Sequence, residues 1–210
     1  MKKISVAILL GVMVLSLGAC GKQGNTTDTT QETEITQENE STQETETNQE
    51  TEVQTSAVGI LETLWGNYEE GEKFAIAGGD SANSVMDKPG SFDVANSEEL
   101  DALLGFPEAQ AGLIDDAASM VHMMNGNTFT CGVFHVADAE NVTQVTDAVK
   151  DNIMNRQWMC GFPDTLIVAV VQDEYVVSAF GLADNMEVFK TKLLACEPTA
   201  TIMYEESLSQ

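Results

Sequence analysis

Four six-residue units stand in register between residues 30 and 53: TQETEI from Thr30, TQENES from Thr36, TQETET from Thr42 and NQETEV from Asn48. A period of six matches neither the helical nor the heptad repeat, so no apolar stripe can form along either. Residues 21–56 hold eleven Thr, six Gln, nine acids and a single Lys, with no aromatic residue. A segment of this kind cannot bury enough surface to offset its own ordering entropy. The spacing predicts a disordered, self-repelling tether with a mean span of roughly 30 to 36 Å. A Thr-rich glycosylated stalk or an adhesive repeat is the functional alternative.

The tether is preceded by a processing signal. Lys2 and Lys3 give a basic start, and Ile4 to Leu17 is an almost wholly apolar run of 14 residues. A membrane-spanning helix needs about 20 residues, so the run fits the core of a signal peptide better. It ends in Leu17-Gly18-Ala19-Cys20, which resembles the lipobox of bacterial lipoproteins. That resemblance implies diacylglycerol on the Cys20 sulfur and cleavage before it. Two or three acyl chains hold a protein firmly at a bilayer where one holds it marginally. The expected organisation is therefore residues 1–19 as signal peptide, 20–56 as lipidated Cys20 plus tether, and 57–210 as one globular domain. The expected location is the extracytoplasmic face of the cell membrane.

Residues 57–210 carry 25 acids against 6 bases, a net charge of −19. Such a balance speaks against a nucleic-acid partner and against docking on anionic lipid. Ser56 is placed to cap a helix running to about Tyr68 through Ile60, Leu61 and Leu64. An irregular stretch follows over 69–96, with turn chemistry at Gly78-Gly79-Asp80 and Lys88-Pro89-Gly90. Ser97 is placed to cap a short helix with Leu100, Leu103 and Leu104, and Pro107 to open another. Strands are expected over 117–124, where Ser119-Met120 would also tolerate helix, and over 128–137, joined by a tight turn at Asn125-Gly126-Asn127. Asp138 then opens a helix with Val142, Val145, Val149 and Ile153 on one face. A second hairpin is expected over 165–171 and 174–180, turning at Gln172-Asp173. A capping box of Asp184 and Glu187 introduces a helix, and a last strand covers 200–204. The predicted class is α+β: an antiparallel sheet from two hairpin-helix (ββα) units, helices on one face, preceded by N-terminal helices and the tether.

Chemistry-bearing residues are few. Once Cys20 is lipidated, Cys131, Cys160 and Cys196 remain, an odd number that excludes a full disulfide framework. Cys160, in Trp158-Met159-Cys160-Gly161-Phe162-Pro163-Asp164, looks loosely like a thioredoxin-type site. It has no second Cys to resolve a mixed disulfide and no helix amino end to stabilise a thiolate. A tight hairpin places His122, Cys131 and His135 on one strand face. These are zinc- or copper-type ligands, but Phe129 and Val133 make the same face look like core. Met123-Met124 is the densest methionine cluster, which suggests core filling or, alternatively, copper handling. No nucleophile elbow, phosphate loop or H-E-x-x-H motif occurs. No catalytic residue and no cofactor are assigned.

Several strings in the domain resemble a known group. They are Leu113-Ile114-Asp115-Asp116-Ala117-Ala118-Ser119, His122-Met123-Met124, Asn127-Thr128-Phe129-Thr130, the segment from Trp158 to Asp164, and Asp173 to Gly181. Together they are similar to small clostridial lipoproteins labelled bacteriocin transport accessory protein, across most of residues 57–196. The resemblance implies a helper role in exporting, or protecting against, antimicrobial peptides. The expected function is a non-enzymatic binding or accessory module at the cell surface, with a cationic peptide or an envelope protein as partner. The alternative is a thiol-redox or metal-binding envelope protein using Cys160, or His122 with Cys131.

Overall fold

The computed structural model describes residues 55–208. The signal peptide, Cys20 and the hexad tether lie outside the described residues. None of the described helices is long and apolar enough to cross a membrane.

The architecture is mixed α+β around one open antiparallel sheet of eight strands. Helix α1 (Ala57–Gly66) begins as expected, with the Ser56 hydroxyl accepting the Gly59 N–H at 3.1 Å. Three short strands follow: β1 (Ile76–Gly78), β2 (Val85–Met86) and β3 (Gly90–Ser91). They correct the irregular stretch expected over 69–96. Pieces of two or three residues are too short to show an alternation. Helix α2 (Ser97–Leu104) is capped by Asn96, whose side chain accepts from Glu99 N–H, and not by Ser97. A 3-10 turn over Glu108–Leu113 leads into β4 (Ile114–His122), which starts three residues before the predicted strand. β5 (Phe129–Val136) follows a six-residue connection containing a 3-10 turn at Gly126–Thr128, not a two-residue turn. The Thr130 hydroxyl donates to the Gly126 carbonyl at 2.9 Å and stiffens that connection. Then come α3 (Val142–Met154), β6 (Thr165–Val171), β7 (Tyr175–Gly181), α4 (Ala183–Cys196) and β8 (Thr201–Ser207).

Two expectations about helix starts divide. Asp138 does open the α3 segment, accepting from Glu140 N–H. The capping box of Asp184 and Glu187 does not form. Leu182 is the cap residue of α4, and the Asp164 carboxylate reaches over to accept the Ala183 N–H at 3.0 Å. A long-range carboxylate thus replaces the local one.

The sheet order is β2-β1-β4-β5-β7-β6-β8, with β3 also paired to β4. The hairpins β4–β5 and β6–β7 meet through β5 and β7, in register from Phe129↔Gly181 to His135↔Tyr175. The helices do not share one face. α1 and α4 pack with Met120, Phe129, Cys131, Val133, Ile167 and Val177. α2 and α3 pack with Phe134, Val136, Leu166, Val168, Val176 and Phe180 on the other side. The reason is in the central strands: β5, β6 and β7 are buried at nearly every position, so both faces must be covered. On α3, Val145, Val149 and Ile153 are fully buried, each stabilising the fold by about 1.5–3 kcal/mol.

Gly132 sets the approach of α2. A β-carbon there would meet the Phe134 ring at 2.5 Å and Leu104 at 3.4 Å. Its absence lets the Phe106 and Phe134 rings pack at 4.5 Å, with Leu104 fully covered nearby.

Candidate cleft at the hairpin end of the sheet

The α2/α3 layer stops short of the end of the sheet where β4 passes into β5. The uncovered end is a cleft of about 550 Å³. Sheet side chains make its floor: Ser119, Val121, Thr130 and Phe180. Phe92 and the last turn of α2, Ala102 to Leu104, form one wall. Gly78, Gly79 and Asp80 form another, and Trp158 a third. Met123, Met124 and Met159 stand at the mouth.

Each wall has a local cause. Gly79 has φ +85°, and a β-carbon there would meet the Asn83 carbonyl at 2.4 Å, so the chain can turn tightly at this point. The Ser119 hydroxyl donates to the Gly79 carbonyl at 2.9 Å, fastening the turn to β4. Asp80 is 3 % exposed and organises the loop. Its carboxylate accepts the N–H groups of Ala82 at 2.9 Å, Asn83 at 2.7 Å and Asp93 at 2.9 Å, and the Asn83 side-chain amide. Burial pushes this carboxyl up, but the hydrogen bonds from Asn83, Asp93 and Ala82 prevail and hold it below the ordinary value.

The α2 wall is locked by Arg156. Its guanidinium donates to the Asp101 carbonyl at 3.2 Å and to the Ala102 carbonyl, occupying the carboxyl end of the helix. It also lies over the Trp158 ring at 5.4 Å. Burial lowers the Arg156 pKa, the nearby Asp101 opposes that, and the group stays charged. The Trp158 wall is held by the hairpin tip. The Asn127 amide donates to the carbonyls of Met159 and Gly161, both at 3.0 Å, and the Asn125 amide to that of Cys160 at 3.5 Å. Cys160 and Gly161 take φ of +64° and +123° between these anchors.

The residues singled out from sequence are dispersed. His122, Cys131 and His135 lie on the strand face expected, but they do not form one site. Cys131 is fully buried, and burial pushes its thiol up. His135 is four residues further along β5, roughly 13 Å away. Its ring contacts Asp115 and, at 3.2 Å, Glu174. His122 accepts the N–H groups of Met124 and Asn125 through Nδ1 at 3.2 and 3.4 Å, and its ring stacks on Phe74 at 5.2 Å. Among the described residues no group of three His, Cys, Asp or Glu could hold a metal ion. Cys131, Cys160 and Cys196 are free thiols, and Cys160 is exposed beside the cleft mouth.

Sequence reasoning missed the cleft itself. It draws on six separated segments, of which His122, Met123-Met124 and the Trp158–Asp164 string are singled out for chemistry and Gly78-Gly79-Asp80 only as a turn. An acceptor-rich Asp80 after Gly78-Gly79 was the one further signal available. Chemically the site is an apolar pocket with a polar frame, the usual make-up of a binding site. The fold and cleft define an α+β domain with a candidate ligand cleft at the end of its sheet. No family model, curated protein or solved structure matches this chain.

Proposed function

We propose that this chain is a lipoprotein of the extracytoplasmic membrane face, held by acyl groups on Cys20, whose domain is a non-enzymatic binding or accessory module. The observation that carries the reading is the cleft, an apolar pocket with exposed methionines at its mouth. Leu17-Gly18-Ala19-Cys20 supports the anchor, and the hexads support a spacer. The resemblance to bacteriocin transport accessory lipoproteins supports a role in transport of, or protection against, antimicrobial peptides. A cationic peptide or an envelope protein is the partner this reading calls for. We read β4–β5–α3 and β6–β7–α4 as two ββα units joined through β5 and β7. The thiol or metal reading through Cys160, or through His122 and Cys131, finds less support. Cys160 has no partner thiol nearby among the described residues, and Cys131 is sealed in the core.

The test has two arms. Native chain is examined by mass spectrometry, and Cys20→Ala by membrane fractionation. The expected results are acylation at Cys20 and release of the variant from the membrane. Leu103→Ser, altering an exposed cleft wall, is then compared with wild type for capture of envelope components at two salt concentrations. Reduced capture is expected, and also weaker capture at the higher salt. An unmodified Cys20, or capture indifferent to both Leu103→Ser and salt, refutes the reading.

A further inference from the structure

We propose that the cleft takes the apolar face of a basic amphipathic helix presented by a partner peptide. The inference rests on the cleft being the binding site and names what fills it. Its mouth is unusually apolar for an exposed surface: Met124 is 79 % exposed, Met159 80 %, Met123 44 % and Leu103 45 %. Unbranched thioether side chains adapt to varied apolar contours, which is how methionine-rich grooves accept amphipathic helices.

The interior offers no free charge to a ligand. The Asp80 carboxylate is engaged by its own loop, and the Arg156 guanidinium by the end of α2 and the Trp158 ring. An apolar guest face suits the floor and the methionine mouth. The floor is the face of paired strands: β4 is bonded to β1, β3 and β5, and β5 to β4 and β7. No open strand edge lies in the floor for an extended peptide to join, which favours a guest that inserts side chains. Along the walls acids outnumber bases, and the Arg156 cation is already engaged by the end of α2. Apart from the buried Asp80, residues 76–104, which supply two of the walls, carry five acids against Lys88. Glu98, Glu99 and Asp101 all stand on α2 itself. A helix with apolar side chains on one face and basic ones on its flanks matches both parts.

The experiment titrates the full chain, in neutral phosphatidylcholine nanodiscs, with a synthetic Leu/Lys amphipathic helix, empty discs serving as blank. The scrambled Leu/Lys sequence and a Leu/Glu analogue are the comparison peptides. Trp158 fluorescence reports binding, with Trp158→Phe identifying its share of the signal. The helix is expected to bind and to perturb Trp158. The scrambled peptide and the Met124→Ser/Met159→Ser double variant should each weaken binding about tenfold or more, a difference of about 1.4 kcal/mol. The Leu/Glu analogue should not bind. Both methionines are exposed, so the double variant should melt with wild type, and Leu103→Ser gives an independent cleft lesion. Equal affinity for helix and scramble, or for wild type and both cleft variants, overturns the assignment. If the helix fails to bind while cleft lesions still abolish envelope capture, the helix assignment falls alone. If the lesions leave that capture intact as well, the binding-module reading falls with it.

Discussion

Replacing Asp80 should loosen the cleft before it unfolds the domain. In Asp80→Asn the Oδ1 position can still accept from the Ala82 and Asn83 N–H groups. An amide NH₂ then faces the Asp93 N–H that the carboxylate accepts at 2.9 Å. The bonds from Asp93 N–H and from the Asn83 amide to Oδ2 become donor–donor contacts, and the others lose charge assistance. A hydrogen bond to a charged group contributes about 1.5–3 kcal/mol, against about 0.5–1.5 for a neutral one. Asp80 is covered by its own loop and not deep in a helix–sheet core, so the lower end applies, and a loss of about 2 kcal/mol is expected. Because the Asp93 bond spans thirteen residues, the loss should concentrate in the 80–93 loop. Hydrogen exchange at Ala82, Asn83 and Asp93 should accelerate by about tenfold or more, with α3 and β6 little changed, since about 1.4 kcal/mol corresponds to a factor of ten. The pH dependence has a defined sign. The folded carboxyl titrates below its unfolded value. Its contribution is therefore complete above the unfolded pKa, near 4, and is lost as pH falls through the lower folded value. Wild type should lose loop protection in that acid window, and Asp80→Asn should lack the step. Equal exchange rates in the two proteins would refute the view that this carboxylate organises the cleft wall.

Gly105 ends α2 at φ +69°, where a β-carbon would meet Ile153 at 2.6 Å; Gly105→Ala should cost about 1–2 kcal/mol in urea unfolding. An unchanged midpoint would show that α2 is not seated as described. His135 has its pKa raised: burial opposes this, but the bonds to Asp115 and Glu174 outweigh it. Its stabilising effect should be full below the unfolded value near 6.5 and fade as pH rises through the folded pKa. His135→Gln should flatten that slope, an effect weakened by salt because Asp115 and Glu174 are half exposed. Cys131→Ser buries a hydroxyl where the sulfur has only a 4.0 Å approach to the Gly132 carbonyl as a hydrogen bond, and should lower stability by about 1–3 kcal/mol. A neutral result would mean that the core there admits water.

Legibility followed segment length and locality. α3 and β6 were readable because their periods are long and clean: Val142, Val145, Val149 and Ile153 on one, seven consecutive residues from Thr165 on the other. The placing of helices on both faces was also encoded, though by an absence. Val133 beside Phe134, and Val176 beside Val177, leave no polar face for solvent. A one-sided sheet requires such a face. Helix starts were readable only to within a residue, since Asn96 and Ser97 are both competent caps. At α4 the decisive acceptor, Asp164, lies nineteen residues from its donor. The cleft was least legible because its walls are assembled by β4 registering with β1, by Arg156 reaching α2, and by Asn127 reaching Met159. None of these contacts has a local pattern.

The placement of the two ends of the sheet bears on how an anchored chain would use the cleft. The chain joins the domain at Thr55, whose carbonyl accepts from the Tyr175 hydroxyl at 2.6 Å, while Ala57 N–H donates to Asp116 at 2.8 Å. Tyr175 pairs with His135, near the end of β5. The cleft floor includes Thr130, five residues back along the same strand, roughly 17 Å away. It also lies on the α2/α3 face, whereas Thr55 leads into α1 on the opposite face. Thr55, where the described residues begin, therefore lies at the other end of the sheet and on its other side from the site. If the hexads act only as a spacer, their number should set reach and leave the affinity of the cleft unchanged. For a soluble peptide ligand, the Kd should be the same for chains with two and with six hexads. A Kd that shifts with hexad number would refute the spacer reading of the hexads.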